Sequence, residues 1–163
     1  AAGGTPQEVT KLAEGEFSHR WPQILPGGKA VLFTVWNDTG FEGGRVAVQR
    51  LDTAEHKILA TGGGYPRFVG PDHEGRGYLA YAQADGMMAV PFDLDRLELN
   101  GTPARALDNV MTNLSGGAHL SVAGNGLLAF LPGRLGEIDR DLVWVDRSGK
   151  SQLVRSIHGM SLT

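Results

Sequence analysis

The residues best able to bind a metal or move a proton are the five histidines, His19, His56, His73, His119 and His158. They are dispersed, and no pair has the i,i+4 spacing that sets two imidazoles on one helix face. With no cysteine in the chain, disulfides, thiolate metal sites and cysteine nucleophiles are excluded. No serine lies in a G-x-S-x-G turn, the device that exposes a hydrolase nucleophile. Ser148-Gly149-Lys150-Ser151 carries the G-K-S tail of a phosphate loop, but Trp144 stands where that loop needs its first glycine. It reads as a hairpin turn. Gly75-Arg76-Gly77 and Gly124-Asn125-Gly126 loosely match a dinucleotide fingerprint. Both open strands, so no helix N-terminus would meet a pyrophosphate. Asp93 and Asp95 begin like a calcium loop without its later glycine and terminal glutamate. Asp72-His73-Glu74 reads as a solvated turn, and the sequons at Asn37, Asn100 and Asn113 as chance matches.

The elements that would position these residues are short strands. Ser18 to Trp36 (SHRWPQILPGGKAVLFTVW) reads as strand, Pro-Gly-Gly turn and strand. Asn37 to Gly44 is a loop by composition, Arg45–Leu51 a third strand, and Glu55–Ala60 a fourth. The order recurs through Tyr65–Val69, Gly77–Ala82, Met87–Phe92 and Thr102–Leu107, with at most one helical turn in Asp93–Leu99. A third pass runs through Ala118–Val122, Leu127–Leu131, Leu142–Val145 and Ser151–Val154. Phe33, Tyr81 and Phe130 hold equivalent places in the second strands, 48 and 49 residues apart. Four short strands at a period in the forties is the signature of propeller blades. The expected fold is therefore all-β, with about three blades at 18–60, 65–107 and 117–154 in one domain spanning 1–163, the alternative being a plain antiparallel sandwich. Pro6–Leu12, within the segment 5–12, is expected as an orphan outer strand. Val31, Phe33, Leu79, Tyr81, Leu128 and Phe130 are the expected inter-blade core.

On that fold His19 and His119 fall at matching places in innermost strands, both facing a central channel. Arg20, Trp21, Tyr65 and Arg67 open their repeats on the rim, and Trp and Arg are common hot-spot residues. These six are the candidate binding residues. No residue is assigned to catalysis, a cofactor or a metal.

The totals set outer bounds. A formal charge of −3 gives no basic stripe for nucleic acid. No window approaches the roughly 18 apolar residues of a membrane span. The 24 glycines, many in pairs, fit many tight turns. The opening AAGGTPQEV lacks the basic-then-apolar pattern of a signal peptide and reads either as an artificial start or as the middle of a longer protein.

HRWPQILPGGKAVLFT, MMAVPFDLDRLELNGTPARAL, and LLAFL followed by LVWVDRSGK resemble the TolB-like β-propeller family. The likeness is closest to the propeller regions of bacterial serine/threonine kinase-like sensor proteins and runs from about Pro6 to Val154. The family's turn aspartate is replaced by Gly27 here, which removes a side-chain cap but suits the turn. The resemblance implies six blades, a bacterial source and an extracytoplasmic location. Three blades leave an open end, so either further chain or a second copy, as a homodimer, is expected to complete the ring. The expected function is a non-enzymatic module binding an unknown protein or small ligand. The alternative is a sensing or gating propeller within a larger kinase-like or prolyl-peptidase-like enzyme.

Overall fold

The computed structural model describes residues 3–37, 39–53, 55–70, 76–84, 86–123, 127–133 and 140–157. The turns expected at Pro71–Gly75 and Gly124–Gly126, with His73 and His158, lie outside them. Strands β1 (Ser18–Ile24), β2 (Ala30–Trp36), β3 (Arg45–Arg50) and β4 (His56–Thr61) form an antiparallel sheet in sequence order. Gly27 and Gly28, at φ +84° and +66°, make the β1–β2 turn in a region that only glycine enters freely. β2, AVLFTVW, is buried along its whole length, as a β-branched and aromatic strand covered on both faces must be.

A second antiparallel sheet holds β5 (Gly64–Val69), β6 (Gly77–Gln83), β7 (Gly86–Asp93), β8 (Glu98–Leu99) and β9 (Ala104–Asp108). The order is β5-β6-β7-β8, and β9 also pairs with β7. Asp93 caps the β7–β8 turn, its Oδ1 accepting from the Asp95 and Arg96 amides. The expected helical turn there is a β connection.

Side-chain alternation sorts the core into layers. Leu25, Leu32, Val46 and Val48 of the first sheet meet Phe68, Leu79, Tyr81, Val90 and Phe92 of the second. The opposite face of β6 carries the small Ala80 and Ala82, which pack with Met87, Val110, Ala118 and Leu120. Val31 and Phe33 do not join the inter-sheet core as expected. With Val35 and Ala47 they bury the first sheet's outer face, because Leu32 is the residue of the LFT run that points inward. Leu79 and Tyr81 do lie between the sheets, Leu128 packs beside Leu120, and Phe130 stays 38% exposed. Two cross-sheet hydrogen bonds add register: the Phe68 amide donates to Gln23 Oε1 at 2.7 Å, and the Tyr65 amide to Thr34 Oγ1 at 2.9 Å.

Pro6–Leu12 is not a strand. Residues 3–13 have no regular structure and lie against the first sheet's outer face, where Gln49 Nε2 donates to the Val9 carbonyl at 2.9 Å. Its weak alternation gives it no ladder to join, so side chains tie it down instead. The third repeat is, among the described residues, two hairpins rather than one sheet. β10 (Leu120–Val122) pairs with β11 (Leu128–Phe130), and β12 (Arg140–Val145) with β13 (Ser151–Ile157). Val110–Pro132 and Thr112–Ala118 bridges link the first hairpin to the segment before it. Trp144 is 73% exposed, and Leu142, Val145, Leu153 and Val154 are also exposed.

The β12–β13 turn is held by Asp146. Its carboxylate accepts from the Ser148 hydroxyl and amide and from the Lys150 amide, at 2.6, 2.8 and 3.1 Å. The hydrogen bond from the Ser148 side chain, with the backbone donors, holds this carboxyl below its ordinary value. A group depressed by folding stabilises above its unfolded pKa, and that contribution goes as pH falls through the folded one. The Ser148 and Lys150 amide resonances should therefore move together on acidification, with a midpoint below the usual aspartate range. The Asp146→Asn variant should abolish that transition.

Candidate functional site

Two side-chain clusters flank the first sheet. The first grows from a repeated irregularity. The β1–β2 register slips between Arg20 and Gln23, and the β5–β6 register between Gly64 and Arg67. Each bulge holds an aromatic followed by proline, Trp21-Pro22 and Tyr65-Pro66, 44 residues apart. Both aromatics have positive φ, +56° and +53°. A bulky residue there costs about 1–3 kcal/mol and persists only where its surroundings fix it.

The fixing contacts are present. The Trp21 indole N–H donates to the Ser115 carbonyl at 3.0 Å, and its ring meets Tyr65 edge-on with centroids 5.4 Å apart. The Tyr65 hydroxyl donates to the Leu120 carbonyl at 2.9 Å. Arg67 lies over the Tyr65 ring at 3.8 Å and donates to the carbonyls of Trp21 and Pro66. Arg20 lies over Trp36 at 5.3 Å and donates to Ser18 Oγ and the Ser115 carbonyl. Beside Tyr65, the exposed His119 with Ser121, Phe130 and Leu131 lines an open groove of about 410 Å³. Five of the six expected residues thus gather along one rim: Arg20, Trp21, Tyr65, Arg67 and His119.

Ser115, which receives both Trp21 and Arg20, is set by a turn in which Asn113 Oδ1 accepts from the Ser115 and Gly117 amides. Gly116 has φ +77°, and a Cβ there would overlap the Trp36 ring. Gly116→Ala should therefore displace this turn, destabilising the fold by about 1–3 kcal/mol. Trp21 fluorescence should redden in the same variant, and an unshifted spectrum with unchanged stability would refute the coupling.

His19 belongs elsewhere. Its ring leaves β1 on the outer face, lies 4.6 Å from Phe33, and sits far in sequence and surroundings from the His119 groove. The expected His19–His119 channel pair is not formed: His119 lies in the groove beside Tyr65, and His19 in a second cluster around Glu16. The Glu16 side chain is only 3% exposed. Its Oε2 accepts from the Ala13 amide at 2.8 Å and faces His19 Nε2 at 3.0 Å. Its Oε1 faces His56 Nε2 at 3.1 Å and Arg45 Nη2 at 3.2 Å. His19 Nδ1 lies 2.9 Å from Thr10 Oγ1. Burial pushes the Glu16 carboxyl up, but the Ala13 amide, the His19 hydrogen bond and the charge and hydrogen bond of His56 outweigh it and leave it below its ordinary value.

Local logic explains the convergence. Glu16 and His19 are three residues apart at the end of the N-terminal segment, while Arg45 and His56 arrive on β3 and β4, on the face that carries Ala47. Glu16, His56, Arg45 and Thr10 were not among the expected site residues. Glu16-x-x-His19 was a visible signal, but only the β3–β4 register brings in a histidine 40 residues beyond the glutamate. Glu16, His19 and His56 are the described residues whose donor atoms could hold a metal, all lying within 4.8 Å of one another. No protein-family model, curated protein or solved structure matches this chain, so its function is argued from these two clusters.

Proposed function

We propose that the chain is a non-enzymatic binding module built of β-propeller blades, which takes a protein or small-ligand partner on the Trp21–Tyr65 rim. The observation that carries this reading is the repeated aromatic-proline bulge, which sets Arg20, Trp21, Tyr65 and Arg67 together beside the His119 groove. Strained aromatics on a rim offer rigid apolar area with little ordering cost, and arginine adds planar donors, the composition of binding hot spots. Face-to-face packing of successive antiparallel sheets supports the blade reading. The exposed apolar β12–β13 hairpin supports association with a second copy, completing a ring of six blades.

The rim is tested with small planar aromatic carboxylates and amides as probes, following amide and indole resonances of the full chain. Shifts concentrated on Trp21, Tyr65, Arg67 and His119, and lost in Arg67→Ala/His119→Ala, are expected. Probe shifts spread evenly over the surface, or unaffected by that double substitution, would overturn the rim as the binding face.

A further inference from the structure

We propose that Glu16, His19 and His56 form a binding site for a divalent transition metal of the zinc class. Two imidazole nitrogens and a carboxylate are the donor set that such ions prefer over calcium or magnesium, which take oxygen. Bonds of about 2.0–2.2 Å around a tetrahedral ion separate neighbouring donors by about 3.3 Å. Glu16 Oε2 lies 3.0 Å from His19 Nε2 and Oε1 lies 3.1 Å from His56 Nε2, and one donor atom from each of the three residues lies within 4.8 Å of the others, a spread that side-chain rotation can close around an ion. Three protein donors leave a fourth position for water or a ligand, the form of an open site.

The surroundings supply what such ligands require. A metal-bound imidazole presents a lone pair at one nitrogen and donates from the other to a fixed acceptor. Thr10 Oγ1 is placed to accept from His19 Nδ1, and as a hydroxyl it also donates when the proton is on Nε2. Thr10 thus serves both the empty and the loaded tautomer. His56 pairs across β3–β4 with Gln49, and the buried Gln49 Oε1 has no hydrogen-bond partner among the described residues. An orphan acceptor next to His56 is what a metal-bound His56, its proton moved to Nδ1, would use. The Ala13 amide fixes Glu16 Oε2. Among the described residues Arg45 is the cation paired with Glu16; its side chain is 37% exposed, which leaves room for it to swing outward when an ion enters.

The test is titration of the metal-free full chain with Zn(II) against a chromophoric chelator, beside Co(II) absorption spectra. One ion per chain is expected, with Co(II) bands of a four- or five-coordinate nitrogen and oxygen site. His56→Asn and Glu16→Gln should weaken Zn(II) binding by at least about tenfold, and Thr10→Val by roughly tenfold as a positioning residue. Arg45→Gln should tighten it by removing the competing cation, an effect opposite in sign to the loss of a structural ion pair. His119→Ala, on the separate rim, should leave Zn(II) affinity unchanged. The Co(II) spectrum of the unaltered chain decides the matter where a variant fails to fold. An octahedral or absent Co(II) signal, or Zn(II) affinity that follows His119 rather than His56, would overturn the site and leave the cluster as a structural polar knot.

Discussion

Replacing Glu16 with alanine should destabilise the fold by about 3–5 kcal/mol, because it leaves the largely enclosed His19 and His56 without their counterpart. The carboxylate is almost fully enclosed and serves the Ala13 amide, His19, His56 and Arg45 together. The desolvation cost of His19 and His56, whose side chains are 9% and 13% exposed, is then uncompensated. The N-terminal segment should also loosen, since Glu16 and Thr10 join it to the first sheet through His19. Denaturant unfolding gives the magnitude, and amide exchange across residues 9–17 gives the location. A loss below about 1 kcal/mol, the range of an exposed ion pair, would show that the cluster is solvated and does not hold the segment. Glu16→Gln should cost less, since the amide oxygen still accepts one hydrogen bond.

Phe33→Ala should cost about 3–5 kcal/mol through lost burial and a cavity that β2, covered on both faces, cannot collapse. Phe33 is 1% exposed, packs with Val31, Val35 and Ala47, and its ring centroid lies 4.6 Å from that of His19 and 5.5 Å from that of His56. The cavity therefore opens beneath the Glu16 cluster as well as in the apolar layer. The double variant with Glu16→Ala should fall short of the sum of the two single losses, because both act through His19 and His56. Strict additivity, within about 0.5 kcal/mol, would mean that the aromatic floor and the polar cluster are independent.

Much of the strand order was legible because β2, β3, β6 and β7 carry runs of β-branched and aromatic residues bounded by glycine and aspartate turns. Their facing was less so. A strand buried on both sides has no polar beat to mark its faces, so nothing local separated Val31 and Phe33 on one face from Leu32 on the other. β6 shows why: only its large-small alternation, Leu79 and Tyr81 against Ala80 and Ala82, separates the two layers. The N-terminal segment was misread because its anchors are single side chains, Gln49, His19 and Glu16, with no periodicity to reveal them. The rim was legible as residue types at the start of each repeat, while the positive φ that turns Trp21 and Tyr65 toward each other was not. The Glu16 cluster depends on β3–β4 register, which no local pattern encodes.

The light-scattering mass of the full chain across a concentration series most directly tests the proposal that two copies complete one ring of blades through their exposed apolar edges. A mass twice that of a single chain is predicted, falling to the single-chain value on dilution and in a Trp144→Asp/Leu153→Asp variant that keeps its two larger sheets. A single-chain mass at every concentration, or an open series of ever larger species, would contradict it.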